Sequence, residues 1–105
     1  MKVYISFPIS GYDIEERRRF SDRVAEAIRL RGHEPLNPLD VYAGTDPDYF
    51  DHICYDLRAM LDCDAVLMLH GWEESRGCRL EYHAAKIYGL AVFTTFDQLG
   101  EACDG

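Results

Sequence analysis

The chain has 105 residues, 48% of them hydrophobic, with nineteen acids against eleven bases for a net charge of −8. That length accommodates one domain with a real core, and the seven Tyr, five Phe and one Trp argue against disorder. The acidic balance argues against non-specific binding of DNA, RNA or anionic membranes, but leaves room for a single nucleotide held by a local ring of donors.

Val3-Tyr4-Ile5-Ser6 reads as a short first strand, ended by Pro8, Ser10 and Gly11. Helical periodicity follows from about Asp13 to Arg31, with Phe20, Val24, Ala27 and Ile28 on one stripe and Gly32 as the stop. A second strand is expected at Glu34 to Asn37, where two prolines indicate a sheet edge. Leu39 to Pro47, with Gly44 and Thr45, reads as a loop. The next helix, from Asp48 to Leu61, carries Phe50, Ile53, Cys54, Leu57, Met60 and Leu61 on its apolar face, with Asp46 or Asp48 as a cap. Ala65 to Leu69 is the most hydrophobic run and reads as a buried strand. A loop from His70 to Arg76 leads into a helix over Gly77 to Tyr88, stopped by Gly89. Leu90 to Thr94 reads as the last strand, and Phe96 to Cys103 as a short final helix.

Strands alternating with helices predict an α/β fold, a small three-layer α/β/α sandwich with a mainly parallel sheet. Right-handed crossovers make it flavodoxin-like or Rossmann-like, with strand order 2-1-3-4. The loops after the first and third strands, Phe7 to Asp13 and His70 to Arg76, then meet at one crevice at the carboxyl edge of the sheet.

Cys54, Cys63, Cys78 and Cys103 follow no signal peptide, and the longest apolar stretches are strand length. These features predict a cytoplasmic protein with reduced thiols and no membrane span. A zinc site could draw on His52, Cys54, His70, Cys78 or His83, but no CxxC or HxxxH pair occurs, and Cys54 and Cys63 fall on apolar segments. Buried thiols are expected there, and no metal or cofactor. A flavin site is disfavoured because the first loop lacks a Ser/Thr-rich phosphate-binding run.

Two acids border apolar stripes on neighbouring helices. Asp56 lies about 100° round its helix from Leu57, and Glu81 flanks Leu80, Ala84 and Ile87. Such acids either converge on one pocket or face water, and periodicity alone leaves both open. Gly77 would let another group approach the backbone closely.

Several segments taken together resemble the nucleoside 2-deoxyribosyltransferase superfamily. They are Val3-Tyr4-Ile5-Ser6-Phe7-Pro8-Ile9-Ser10-Gly11, Asp56-Leu57, Cys63-Asp64-Ala65-Val66 and Ser75-Arg76-Gly77 ending in Glu81. That superfamily includes the 2'-deoxynucleoside 5'-phosphate N-hydrolases and a short uncharacterised branch that reads closest to this chain. The resemblance covers nearly all of residues 1–105 and implies a single domain of that type. It implies that Glu81 is a nucleophile attacking the anomeric carbon of the sugar, giving a glycosyl-enzyme ester as the nucleobase leaves. Asp56 then matches a position that holds the sugar or aids departure of the base, and Tyr4 one that orients the glutamate; a buried Tyr is equally ordinary in a core.

Within the resemblance, Ser75 stands where the monophosphate hydrolases carry serine and the nucleoside transferases aspartate. A hydroxyl and helix-terminal N–H groups can bind a phosphate, and Arg76, Ser10 and the Gly11 amide could add donors. Ser75 also suits a plain helix cap. Phe7 departs from a usual glycine and Pro8 from a serine. Trp72, the one Trp, could stack on a base or plug a hydrophobic gap; His70 could contact a base or point to solvent, while Glu73 and Glu74 suit a solvated edge. The expected partner is a small nucleotide or nucleoside rather than a nucleic acid polymer or membrane, and the resemblance implies a homo-oligomer, commonly a homodimer. A nucleotide-binding module without turnover is the alternative, as is an interaction protein, which predicts no perturbed carboxylate in a cleft.

Overall fold

The first strand, β1 (Lys2–Ser6), lies at the interior of a four-stranded, all-parallel sheet. The computed structural model describes residues 1–41 and 49–101, with side chains omitted for residues 49–51. The expected loop residues Gly44, Thr45 and Pro47, the caps Asp46 and Asp48, the Phe50 side chain and Cys103 lie outside the described residues.

After β1 the chain forms α1 (Ile14–Leu30), β2 (Glu34–Leu36), α2 (Tyr49–Leu61), β3 (Ala65–Met68), α3 (Arg76–Ile87), β4 (Ala91–Phe93) and α4 (Phe96–Leu99). Single turns of 3-10 helix occupy Pro38–Asp40, overlapping the start of the loop expected from Leu39, and Trp72–Glu74, inside the loop expected from His70 to Arg76. Strand order is β2-β1-β3-β4, as the alternating pattern predicts. The prolines correctly place β2 at an edge, where Pro35 lies opposite Val3.

The helix ends follow local chemistry. Asp13 caps α1 by accepting from the Glu16 amide at 3.0 Å. Gly32 and Gly89 take positive φ, 83° and 81°, just past α1 and α3. Ser21, buried on α1, accepts from Asn37 Nδ2 at 2.8 Å, tying α1 to the chain after β2.

Alternation along β1 divides the interior in two. Val3, Ile5 and Phe7 join Ala65, Leu67, Val24, Ala25, Ile28 and Leu99 on the face covered by α1 and α4. Tyr4 joins Val66 and Met68 on the other face, beneath Met60 of α2 and Cys78 and Ala85 of α3. The layers are therefore α/β/α.

Three expectations of burial need correction. Cys54 is exposed, whereas Cys63 is buried as expected. Six residues from Met60, Cys54 sits about 120° round the helix from the side that meets the sheet. On α1 the buried set is Ser21, Val24, Ala25 and Ile28, so the stripe is rotated away from Ala27 and Phe20 packs at its margin. The third concerns α3 and bears on the site.

Candidate active site

Every second side chain of β1 faces α2 and α3, so Tyr4 and Ser6 emerge side by side on that face. Ser75 starts α3, its hydroxyl accepting from the Cys78 amide at 3.3 Å. The residues of α3 turned to the sheet are Cys78, Glu81 and Ala85. Of the expected stripe of Leu80, Ala84 and Ile87, only Ala84 packs against the core; Leu80 and Ile87 face outward, 42% and 75% exposed. Small Cys and Ala side chains let α3 approach the sheet, and the carboxyl among them finds partners.

Those partners are specific. Tyr4 Oη donates to Glu81 Oε2 at 2.6 Å, and Ser6 Oγ donates to Oε1 at 2.7 Å. Glu81 is only 9% exposed, and both donors are fully buried. Burial raises the Glu81 pKa above the usual carboxylate range, while the two hydrogen bonds pull it back down. The Tyr4 hydroxyl is pushed well up by burial and then by the negative charge of Glu81, so it remains a donor.

Asp56, half-buried on α2, faces the same space. Its pKa is raised from 3.8 to about 7, first by burial and then by the charge of Glu81. Two acids thus share one site in unequal settings: among the described residues, hydroxyls hold Glu81 and none is seen on Asp56. Such a pair divides acid and base roles near neutrality.

Tyr4, Asp56 and Glu81 line one cavity of about 700 Å³. It opens at the carboxyl edge of β1 and β3, between the loop after β1 and the start of α3, where ligands of open α/β sheets bind. Of the remaining candidates, Phe7, Ser10, Ser75 and Gly77 also line it. The Phe7 ring packs edge-on against Phe20, centroids 5.8 Å apart, within the core beneath α1, so it forms part of the cavity wall. Arg17 secures that wall, its guanidinium donating to the Pro8 carbonyl at 3.3 Å and lying 4.6 Å from the Tyr12 and Phe20 ring centroids.

Gly11 and Trp72 lie elsewhere. Gly11 makes an exposed turn at φ 86° and is not part of the lining. Trp72 stacks on Tyr82, centroids 4.7 Å apart and planes 25° from parallel, which engages its ring in packing outside the cavity lining. Among the described residues no three His, Cys, Asp or Glu side chains gather to hold a metal ion, and no helix is long and apolar enough to cross a membrane.

Sequence reasoning passed over Ser6, which holds Glu81 from beneath the cavity, and Cys78, which lines it. Ser6 sits two positions after Tyr4 on the same strand, which was the available signal. Cys78 lines the cavity within reach of the Ser6 and Ser75 hydroxyls, its thiol pKa raised chiefly by burial.

Residues 1–94 match a family described as a domain of unknown function, DUF4406. The chain belongs to the DUF4406 family. No curated protein matches this DUF4406 chain in sequence. Solved structures do match it in shape. A 2-desoxiribosyltransferase from Leishmania mexicana superposes with a TM-score of 0.69 at 17% identity, covering 99% of this chain and 75% of the other. A 2-deoxyribosyltransferase from Bacillus psychrosaccharolyticus gives 0.65 at 18% identity, covering 88% and 69%. The DUF4406 chain therefore has a nucleoside 2-deoxyribosyltransferase-like fold.

Proposed function

We propose that residues 1–105 form a single domain that cleaves the N-glycosidic bond of a nucleoside 5'-monophosphate or related nucleoside. The observation that carries this reading is the buried Glu81 carboxyl, fixed by Tyr4 and Ser6, facing a cavity it shares with Asp56. Glu81, as carboxylate, attacks the anomeric carbon and forms a glycosyl ester while the bond to the base breaks. Asp56, protonated near neutrality, gives its proton to the departing base. The resulting Asp56 carboxylate takes a proton from water, whose oxygen adds to the anomeric carbon, releasing the sugar and restoring Glu81. A second base in place of water would make the reaction a transfer.

The start of α3 suits a 5'-phosphate. Ser75 and Arg76 line the cavity there beside the N-terminal amides of a twelve-residue helix, and Ser10 lies on the facing loop. The Ser75 oxygen accepts from Cys78 and still carries a hydrogen to donate. Such a substrate needs no metal or cofactor. The named activities of the two structural neighbours support the same class of chemistry.

The outward row of α3 suits a homodimer. Leu80 lines the cavity, and Ile87 and Tyr88, 75% and 69% exposed, extend the apolar row away from it. Free thiols at Cys54, Cys63 and Cys78 fit the reducing cytoplasm.

The test is chromatography of liberated base from a panel of nucleotides and nucleosides, using wild type and Glu81→Gln. The variant is expected to fold and release no base. Equal release by both would discard Glu81 as nucleophile. Binding without release across the panel would establish the non-catalytic alternative.

A further inference from the structure

β1 brings two hydroxyls to Glu81, one for each carboxylate oxygen. A serine hydroxyl has a single hydrogen, and that of Ser6 is committed to Oε1. The Cys78 thiol lies within reach of the Ser6 and Ser75 hydroxyls. Ser6 thus links the carboxylate to the capped start of α3 and is fully buried while doing so. Asp56, across the cavity, meets no such pair of hydroxyls among the described residues, and burial and the charge of Glu81 favour its acid form.

We propose that Ser6 is a positioning residue that decides which of the two cavity acids holds the proton, keeping Glu81 as carboxylate and leaving the acid form to Asp56. The catalytic consequence rests on the glycosidic reading above; the placement of the proton does not. Two carboxyls facing one cavity, one of them buried, do not both ionise readily, so a proton stays with the one whose charge is less well stabilised. Hydroxyl donors stabilise a carboxylate, and Tyr4 supplies one of them. Ser6 supplies the other, on the oxygen that Tyr4 does not occupy. Without it, Oε1 is a buried charged oxygen with no donor, and the preference between the two acids narrows or reverses.

The other groups near Glu81 do not take this role. Tyr4 on β1 and Cys78 on α3 are both pushed up by burial and stay neutral across the relevant range. Arg18 from α1, His52 from α2, and Glu74 and Arg76 at the start of α3 line the same cavity and add a background field. Replacing Ser6 leaves that background in place.

The experiment is a carboxyl-carbon NMR titration of the full chain labelled in Asp and Glu, with signals assigned through Glu81→Gln and Asp56→Asn. In Ser6→Ala the Glu81 midpoint is expected to rise by about one pH unit or more, the loss of one hydrogen bond to a charged group. The Asp56 midpoint is expected to fall, because the two titrate as a coupled pair. Ser6→Thr, which keeps the hydroxyl, should restore both, and Ser6→Cys, a weaker donor, should fall between. Where turnover is measured, the acidic limb of kcat/KM should move with Glu81, with kcat reduced more than KM is raised.

Unchanged midpoints in folded Ser6→Ala would overturn the proposal. If that variant does not fold, wild-type midpoints in Ser6→Cys would do so. Absence of turnover by the wild type would reject the glycosidic reading separately, with the titration still deciding the role of Ser6.

Discussion

Replacing Asp56 with Asn should make the protein more stable at pH 8 while impairing the proposed reaction. In the folded chain the Asp56 pKa lies at about 7, against 3.8 ordinarily, through burial and the charge of Glu81. The folded state therefore binds this proton more tightly than the unfolded state does. The associated stability is fully present below about pH 4 and is lost as pH rises toward 7. At 1.36 kcal/mol per pH unit, the displacement corresponds to about 4 kcal/mol. Asp56 is only partly buried, so screening by solvent reduces the expected effect to about 1–2 kcal/mol. For a chain of this length that is roughly 5–10 °C in Tm. Thermal unfolding of wild type and Asp56→Asn at pH 4 and pH 8 reads it directly. The two should nearly coincide at pH 4, with the variant higher at pH 8. Glu81, also raised by burial, leaves a decline of the same sign in the variant. An equal fall in Tm between the two pH values for both proteins would refute the assignment of the displaced proton to Asp56.

Ser75→Ala removes the cap on the Cys78 amide and should cost about 1 kcal/mol of stability, measured by urea unfolding. If Ser75 also contacts phosphate, KM for a monophosphate should rise more than KM for the corresponding nucleoside; equal changes would confine Ser75 to capping. Gly71→Ala and Gly89→Ala both force alanine into a left-handed conformation, at φ 88° and 81°, and each should lose about 1 kcal/mol. Only at Gly71 does the added methyl meet a neighbour, Pro8 Cγ at 3.3 Å. Base release per folded molecule should therefore fall for Gly71→Ala and hold for Gly89→Ala; equal activities would show that the first loop yields freely.

The fold was legible wherever one local signal dominated. Uninterrupted apolar residues mark β3, glycines mark the ends of α1 and α3, and prolines mark the edge position of β2. The orientation of α3 was not, because periodicity leaves an acid at the margin of an apolar stripe free to face either way. Here Glu81 lies inward because two hydroxyls from a distant strand satisfy it, and Leu80 and Ile87 are turned out as a result. That compensation spans 75 and 77 residues of sequence, beyond the reach of any local pattern. Tyr4, Asp56 and Glu81 were reached through family likeness, and the shared cavity brings them together. For Trp72 the sequence left base stacking and hydrophobic packing both open, because an isolated aromatic in a loop gives no hint of Tyr82, ten residues later, as its stacking partner.

The two-sidedness of β1 offers separable handles for redesign. Its odd-numbered side chains, Val3 and Ile5, can be exchanged for other apolar residues to adjust robustness. Its even-numbered ones, Tyr4 and Ser6, can be rewritten to retune reactivity. A slip of this strand by a single residue would swap the two rows, so errors of pairing should be as damaging to chemistry as to packing.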